Sequence, residues 1–302
     1  MMLSNNRSEL EPRPLPNRAL EAILEPATAL VFAWVAAVFL VLHSDPLLAT
    51  LVVLGAGGAF LAGLVGVGGA IIMVPLLVYV PPLLGVGRLT MHDITAVTMV
   101  QVLAAAASGV AGHYREGMVD RRVVATLGAG MMIGSLAGAV GSRWVRGDVL
   151  QGVFAAMAAA AAIMMIALRN PEPAPAGGAL ERWRKPLGFG MALVVGVLAG
   201  AVGAGGAFLL MPLMLYVLRI PTRAAMGSSL AVVLAGALMG VAGKLFTGQI
   251  PGWPALALVA GALPAAQLGA ATSRKLRATQ LKWILAVIIA AVAVKMWWDI
   301  LR

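Results

Sequence analysis

No cysteine occurs anywhere in the chain, which excludes disulfides, cysteine-ligated metals and thiol catalysis. Charge is scarce as well: Asp, Glu, Lys and Arg make up 11% of the 302 residues, against 61% hydrophobic residues and a mean hydropathy of +0.95. That leaves too little polar surface to cover a soluble globule, so lipid must face most of the chain. There are only three histidines. His43 and His113 fall in loops with no second ligand near them, so neither a metal site nor a cofactor is expected. The apolar runs contain no paired carboxylates, no His-Glu-x-x-His and no serine with a neighbouring base, so no enzyme is expected. A net charge of +10 and a pI near 11.0 would suit nucleic acid, but the Lys and Arg sit in short loops between apolar runs, where they orient a membrane protein instead.

What is present is a succession of apolar segments. A polar tail, residues 1–27, precedes a first span at 28–42; it carries more Glu than Arg and lacks a cleavage site, so it does not read as a secretory signal. Further runs follow at Leu47–Leu64, Gly69–Leu84, Ile94–Gly112, Val123–Val140 and Val149–Leu168. After a proline-rich linker, residues 169–186, come Leu187–Val202, Gly206–Leu218, Ala224–Gly243, Trp253–Ala271 and Trp283–Trp298. Alanine and glycine dominate these runs, which lets helix backbones approach closely where lipid removes the hydrophobic drive between helices. Trp144, Trp253, Trp283, Trp297 and Trp298 flank runs as interfacial anchors do.

The two halves, 47–168 and 187–299, are copies of each other. Gly63, Gly66, Gly68, Gly69, Pro75 and Tyr79 recur 137 positions later as Gly200, Gly203, Gly205, Gly206, Pro212 and Tyr216. Gly109, Gly112, Gly117, Gly138, Ser142 and Arg143 recur 131 positions later as Gly240, Gly243, Gly248, Gly269, Ser273 and Arg274. With the N-terminal tail in the cytoplasm and each glycine-cluster pair either crossing twice or forming a hairpin, 16 of the 22 Lys and Arg fall inside. This positive-inside bias favours two inverted repeats.

The segments after the glycine clusters are too short to span. Gly69–Val80 and Gly206–Leu218 would reach roughly 18 to 20 Å as helix, against a hydrocarbon core of about 30 Å. Each cluster is therefore expected near the bilayer midplane, at a hairpin tip or at the break of a discontinuous helix. The expected fold is all-α: a polytopic transmembrane bundle with two inverted repeats and paired short Gly/Pro-interrupted helices at the midplane. Glycine permits a sharp turn, and the helix that follows leaves its first N–H groups unpaired, which suits an anion. Gly66, Gly68, Gly69, Gly203, Gly205 and Gly206 are thus candidate substrate-binding residues. Pro75 and Pro212 are candidate helix breaks that free the carbonyls of Ile71 and Phe208. Close helix packing is the alternative role for the same glycines.

Few other polar residues lie inside the runs. Thr95, Thr98 and Gln101 share a helix face, and Ser228 and Ser229 stand in the matching segment of the second half, Ser229 at the position of Thr98. Thr98, Gln101, Ser228 and Ser229 are candidate substrate ligands; they could equally bond their own helix carbonyls or bridge helices. Ser135 and Gln267 carry a weaker form of the same expectation. His92 and Asp93, beside Arg88, read as an interfacial cluster. No Lys or Arg is expected within the spans near the site.

The doubled pattern G-x-x-G-x-G-G-x-x-x-x-x-P, each copy followed by a Thr- or Ser-bearing helix, a G-x-x-G end and a short basic loop, resembles the TauE/SafE sulfite exporter family. The resemblance covers about Leu47–Trp298 and departs at Ala70 and Ala207, where that family commonly carries a third glycine. It implies a secondary transporter, an exporter of sulfite or small organosulfonate anions, in the bacterial cytoplasmic membrane with its N-terminus in the cytoplasm. The implied partners are a small oxyanion and the lipid bilayer, not nucleic acid. A coupling proton or sodium ion, a homo-oligomer and the direction of transport are left open. The alternatives are a non-transporting assembly or scaffold protein, or a transporter of another small anion.

Overall fold

The computed structural model describes residues 45–65, 70–115, 120–167, 184–220 and 222–273, with helical positions 287, 290–292 and 294–299. The expected tail and first span, most of the linker, and the first cluster Gly66, Gly68 and Gly69 lie outside the described residues. The described residues all belong to one compact unit. In chain order its helices are α1 Pro46–Val65, α2 Ala70–Leu83, α3 Met91–Arg115, α4 Arg121–Gly141, α5 Gly147–Ala167, α6 Arg184–Val202, α7 Ala207–Pro212, α8 Thr222–Phe246 and α9 Gly252–Ser273. A 3₁₀ turn, Ser142–Trp144, extends α4, and a π-helical turn, Leu213–Val217, extends α7. The described residues contain no strand. The all-α expectation holds.

Helix starts follow local chemistry. Thr90 and Asp93 form a reciprocal cap at α3, in which the Asp93 N–H donates to Thr90 Oγ1 at 3.2 Å and the Thr90 N–H to Asp93 Oδ2 at 3.1 Å. Asp93 is therefore a capping residue, and His92 Nε2 lies 3.0 Å from the Val145 carbonyl. Asp120 caps α4 by accepting the N–H groups of Arg122 and Val123. At the other end of a helix, Gly203 stops α6 in the left-handed conformation, φ 72°, and the Ala204 N–H donates to Ala199 O in the manner of a Schellman cap.

Glycine sets how the helices pack. Gly130, Gly134 and Gly138, spaced one turn apart on α4, lie against the carbonyls of Phe189, Leu193 and Val197 on α6. In return Gly196 and Gly200 on α6 lie against the carbonyls of Met131 and Ser135. A single methyl group at any of these positions would collide with backbone, so the helices meet at a distance only glycine permits. The α1–α9 pair repeats this contact. Gly261 lies on the Val52 carbonyl, and Gly261 and Val52 are the sequence counterparts of Gly130 and Phe189. Ala59 and Ala262, counterparts of Gly196 and Met131, share one buried cluster. Each pair takes one helix from each half of the chain.

Between these pairs lie α3 and α8, which are counterparts at the 131-residue offset. Thr95 touches Lys244, and Met99 lies at Gly240, so the two helices run antiparallel. The α4–α8 contacts advance together, from Asp120 with Ser228 to Met131 with Gly236 and Ser142 with Lys244, so that pair is parallel.

Among the described residues, Arg121–Trp144, Gly147–Met164 and Ser228–Phe246 are long and apolar enough to cross a membrane. The helices after the glycine clusters are shorter: α2 has 14 residues, and α7 with its π turn has 6 and 5. At 1.5 Å per residue these reach about 21 and 17 Å, short of a hydrocarbon core of about 30 Å. Pro75 sits inside continuous α2, whereas Pro212 marks the change from α- to π-type bonding.

Candidate substrate site

The second glycine cluster is a turn that only glycine accommodates. Gly203, Gly205 and Gly206 all have positive φ, at 72°, 62° and 69°, a region where a Cβ would clash with its own backbone. The turn is wedged between helices: Gly203 packs on the Thr95 carbonyl, Gly205 faces Val102 of α3 and Val233 of α8, and Gly206 faces Met131, Val195 and Ala199. Gly206 O accepts the N–H groups of Leu209 and Leu210, while those of Gly205, Gly206, Ala207 and Phe208 have no acceptor among the described residues.

Alongside this turn runs the polar face of α3. Thr95, Thr98 and Gln101 are all buried, and Gln101, 2% exposed, has a side-chain oxygen with no hydrogen-bond partner. An orphaned amide in a buried core costs about 1–3 kcal/mol, which is unusual unless something else completes it. The hydroxyls differ. Thr98 Oγ1 donates to Ile94 O at 2.6 Å, and Thr95 Oγ1 donates to His92 O at 2.9 Å, so both protons are already committed to the helix.

The remaining candidates separate. Ser228 Oγ accepts the Asp120 N–H at 3.0 Å, which ties it to the start of α4 and away from the glycine turn. Ser229 is buried one helical turn before Val233, the residue that packs on Gly205. Ser135 is buried near Gly240, and Gln267 is exposed. The structure thus packs the turn Gly203, Gly205 and Gly206 against α3 at Thr95 and Val102, with Thr98 bonded to the same Thr95 carbonyl that Gly203 meets; Gln101 is buried on that helix, Ser229 lies one turn before Val233 on α8, and Ser228 is tied to Asp120.

One residue overturns an expectation. Lys244, which ends the apolar run at Ala224–Gly243 and was expected in a loop, lies inside α8 and is 0% exposed. Its ammonium donates to Thr95 Oγ1 at 3.1 Å, Ser142 Oγ at 3.1 Å and Gln249 Oε1 at 3.4 Å. No described carboxylate pairs with it. A signal was available: Gly236, Gly240 and Lys244 recur at four-residue spacing, and a helix face that carries packing glycines turns inward whatever stands at its end.

Comparison with known proteins places the chain in a family. The family profile described as sulfite exporter TauE/SafE matches residues 49–296. A "Probable membrane transporter protein" of Xylella fastidiosa is 29% identical over 263 residues, covering 82% of this chain and 95% of that protein. "Probable membrane transporter protein YunE" of Bacillus subtilis is 24% identical over 255 residues, covering 79% of this chain and 93% of its own. A "Probable membrane transporter protein" of Haemophilus influenzae is 26% identical over 260 residues, covering 80% and 95%. No solved structure matches the chain significantly. With a family match over most of its length and helices suited to a bilayer, the chain is a multi-pass membrane protein that belongs to the TauE/SafE sulfite exporter family.

Proposed function

We propose that the protein is a secondary transporter that exports sulfite or a small organosulfonate across the bacterial cytoplasmic membrane. The observation that carries this reading is the three-glycine turn, whose backbone N–H groups lack acceptors among the described residues and which packs against α3, the helix that carries buried Gln101 with its unpartnered side-chain oxygen. A small oxyanion would accept from the N–H groups of the turn, neutral ligands whose grip is weak enough to release it. The amide would present its NH₂ to the anion after rotation about χ3. Thr98 contributes an oxygen already turned to its own helix, so it shapes the site and donates nothing. Ser228, Ser229 and the counterpart cluster Gly66, Gly68 and Gly69 would serve the path from the opposite half, with Pro212 as a helix break, whereas Pro75, inside continuous α2, makes none. The antiparallel run of the counterpart helices α3 and α8 supports inverted repeats. A cytoplasmic N-terminus rests on the charge bias, in which five of the six outer cations remain once Lys244 is buried.

Proteoliposomes loaded with sulfite, thiosulfate, sulfoacetate, sulfate or acetate test the reading. One of the sulfur oxyanions or sulfonates is expected to move faster than acetate, and Gly206→Leu is expected to abolish that flux while the protein still inserts. Saturable movement of a cation or neutral solute, with no response to any of these anions, would contradict the site.

A further inference from the structure

We propose that Lys244 is a docking cation for the transported anion at one end of the α3–α4–α8 core, and that the Gln249 carbonyl oxygen holds the anion's place until it arrives. The proposal rests on the anion reading above. Three observations carry it.

The first is the coordination of the ammonium. All three N–H groups are used, on Thr95 Oγ1, Ser142 Oγ and Gln249 Oε1, yet each acceptor is neutral, so a buried positive charge has dipoles around it and no counter-charge. The C-terminal ends of α4 and α8 favour a cation here, but a neutral residue would need no such compensation. A full charge is retained where an anion would be the matching partner.

The second is the inequality of the three ligands. Thr95 and Ser142 stand on α3 and on the turn ending α4, and their hydroxyls lie within hydrogen-bond reach of the carbonyls of His92 and Ala139. Gln249 stands in the connection between α8 and α9, after the left-handed Gly248, is only partly buried, and makes the longest of the three bonds. Its oxygen also accepts from Ser142 Oγ at 3.0 Å, and its amide nitrogen is tethered to Ala139 O and Thr247 Oγ1, so the group has other bonds to keep when its oxygen leaves the ammonium. An oxyanion replacing Gln249 Oε1 exchanges a neutral acceptor for a charged one, which strengthens the bond to the ammonium.

The third is a local failure of the internal repeat. The glycines around the cluster persist at the 131-residue offset, Gly240 with Gly109, Gly243 with Gly112 and Gly248 with Gly117. The polar residues persist only in part: Ser142 recurs as Ser273 and Lys244 is matched by another basic side chain, His113, whereas Gln249 corresponds to Met118 and Thr95 to Met226. Packing demands are shared by both copies, so the difference belongs to a task that one end of the core performs alone. The cluster also reaches the central site, because the Thr95 carbonyl that Gly203 packs against accepts from Thr98 Oγ1 at 3.3 Å.

Sulfite binding to the purified full-length protein, by calorimetry at fixed pH and ionic strength, tests the assignment. Lys244→Gln is expected to weaken binding at least ten-fold and Lys244→Arg to restore most of it. Gln249→Ala removes the placeholder oxygen together with the tethers to Ala139 O and Thr247 Oγ1, and is expected to tighten binding two- to ten-fold. Sulfite binding in Lys244→Gln equal to wild type, or Gln249→Ala binding equal to or weaker than wild type, would overturn the docking role and leave the central site standing. Wild-type protein that binds neither sulfite, thiosulfate nor sulfoacetate would overturn the anion reading itself.

Discussion

The α4–α6 and α1–α9 pairs meet through the same contacts at matching positions, whereas the two ends of α8 have nothing in common. At one end Ser228 accepts a backbone N–H from Asp120, and at the other Lys244 is enclosed by Thr95, Ser142 and Gln249. Helix packing in lipid depends on side-chain volume, and the two copies keep small residues at the closest contacts, as at Gly130 and Gly261 or Gly196 and Ala59. Polar chemistry depends on individual atoms, and there the copies have diverged. The repeated part of the molecule is therefore its scaffold, and the unrepeated part is the place to look for what distinguishes one face from the other.

The largest test of this comparison replaces matched glycines. Gly130→Leu and Gly261→Leu each drive a side chain into a facing backbone carbonyl, that of Phe189 or Val52, and each is expected to destabilise the protein by about 3 kcal/mol. Unfolding midpoints in detergent measure this. The two losses should agree within about 1 kcal/mol, and a variant that tolerates one site but not the other would break the equivalence of the pairs.

A change on the unrepeated side should behave in the opposite way. Gln101→Leu removes an orphaned amide from a buried position, so stability is expected to rise by about 1 kcal/mol while sulfite transport falls ten-fold or more. Loss of stability together with loss of transport would make Gln101 a structural residue.

The smallest effect is expected at Thr98. Its proton already serves Ile94 O, so Thr98→Val should change sulfite flux by less than about two-fold and stability by less than about 1 kcal/mol. A ten-fold loss of flux would move Thr98 into the binding shell beside Gln101 and sharpen the contrast with Ser228.

The repeat, the membrane setting and the short helices were legible in the chain, because apolar run length and glycine spacing act locally and act twice. Glycine does two different things in this fold. Gly203, Gly205 and Gly206 make a left-handed turn, and Gly130, Gly134 and Gly138 serve close packing, a division set by whether the backbone bends or stays helical at each position. Asp93 showed its capping spacing with Thr90 in sequence, and that local bond accounts for it more fully than a surface cluster does.

Sequence alone thus determined that this is a helical membrane protein with two related halves, since composition and periodicity are properties of the chain itself. The tertiary structure alone decided which helices interlock across the halves, that Thr98 bonds inward along its own helix, and that Lys244 joins residues 149, 102 and 5 positions away in one buried cluster. A lysine at the end of an apolar run resembles a loop charge until neighbouring helices close around it. Its spacing from Gly236 and Gly240 marks the inward face, but the partners it meets there are set by where α3, α4 and the α8–α9 connection converge, and no local pattern encodes that convergence.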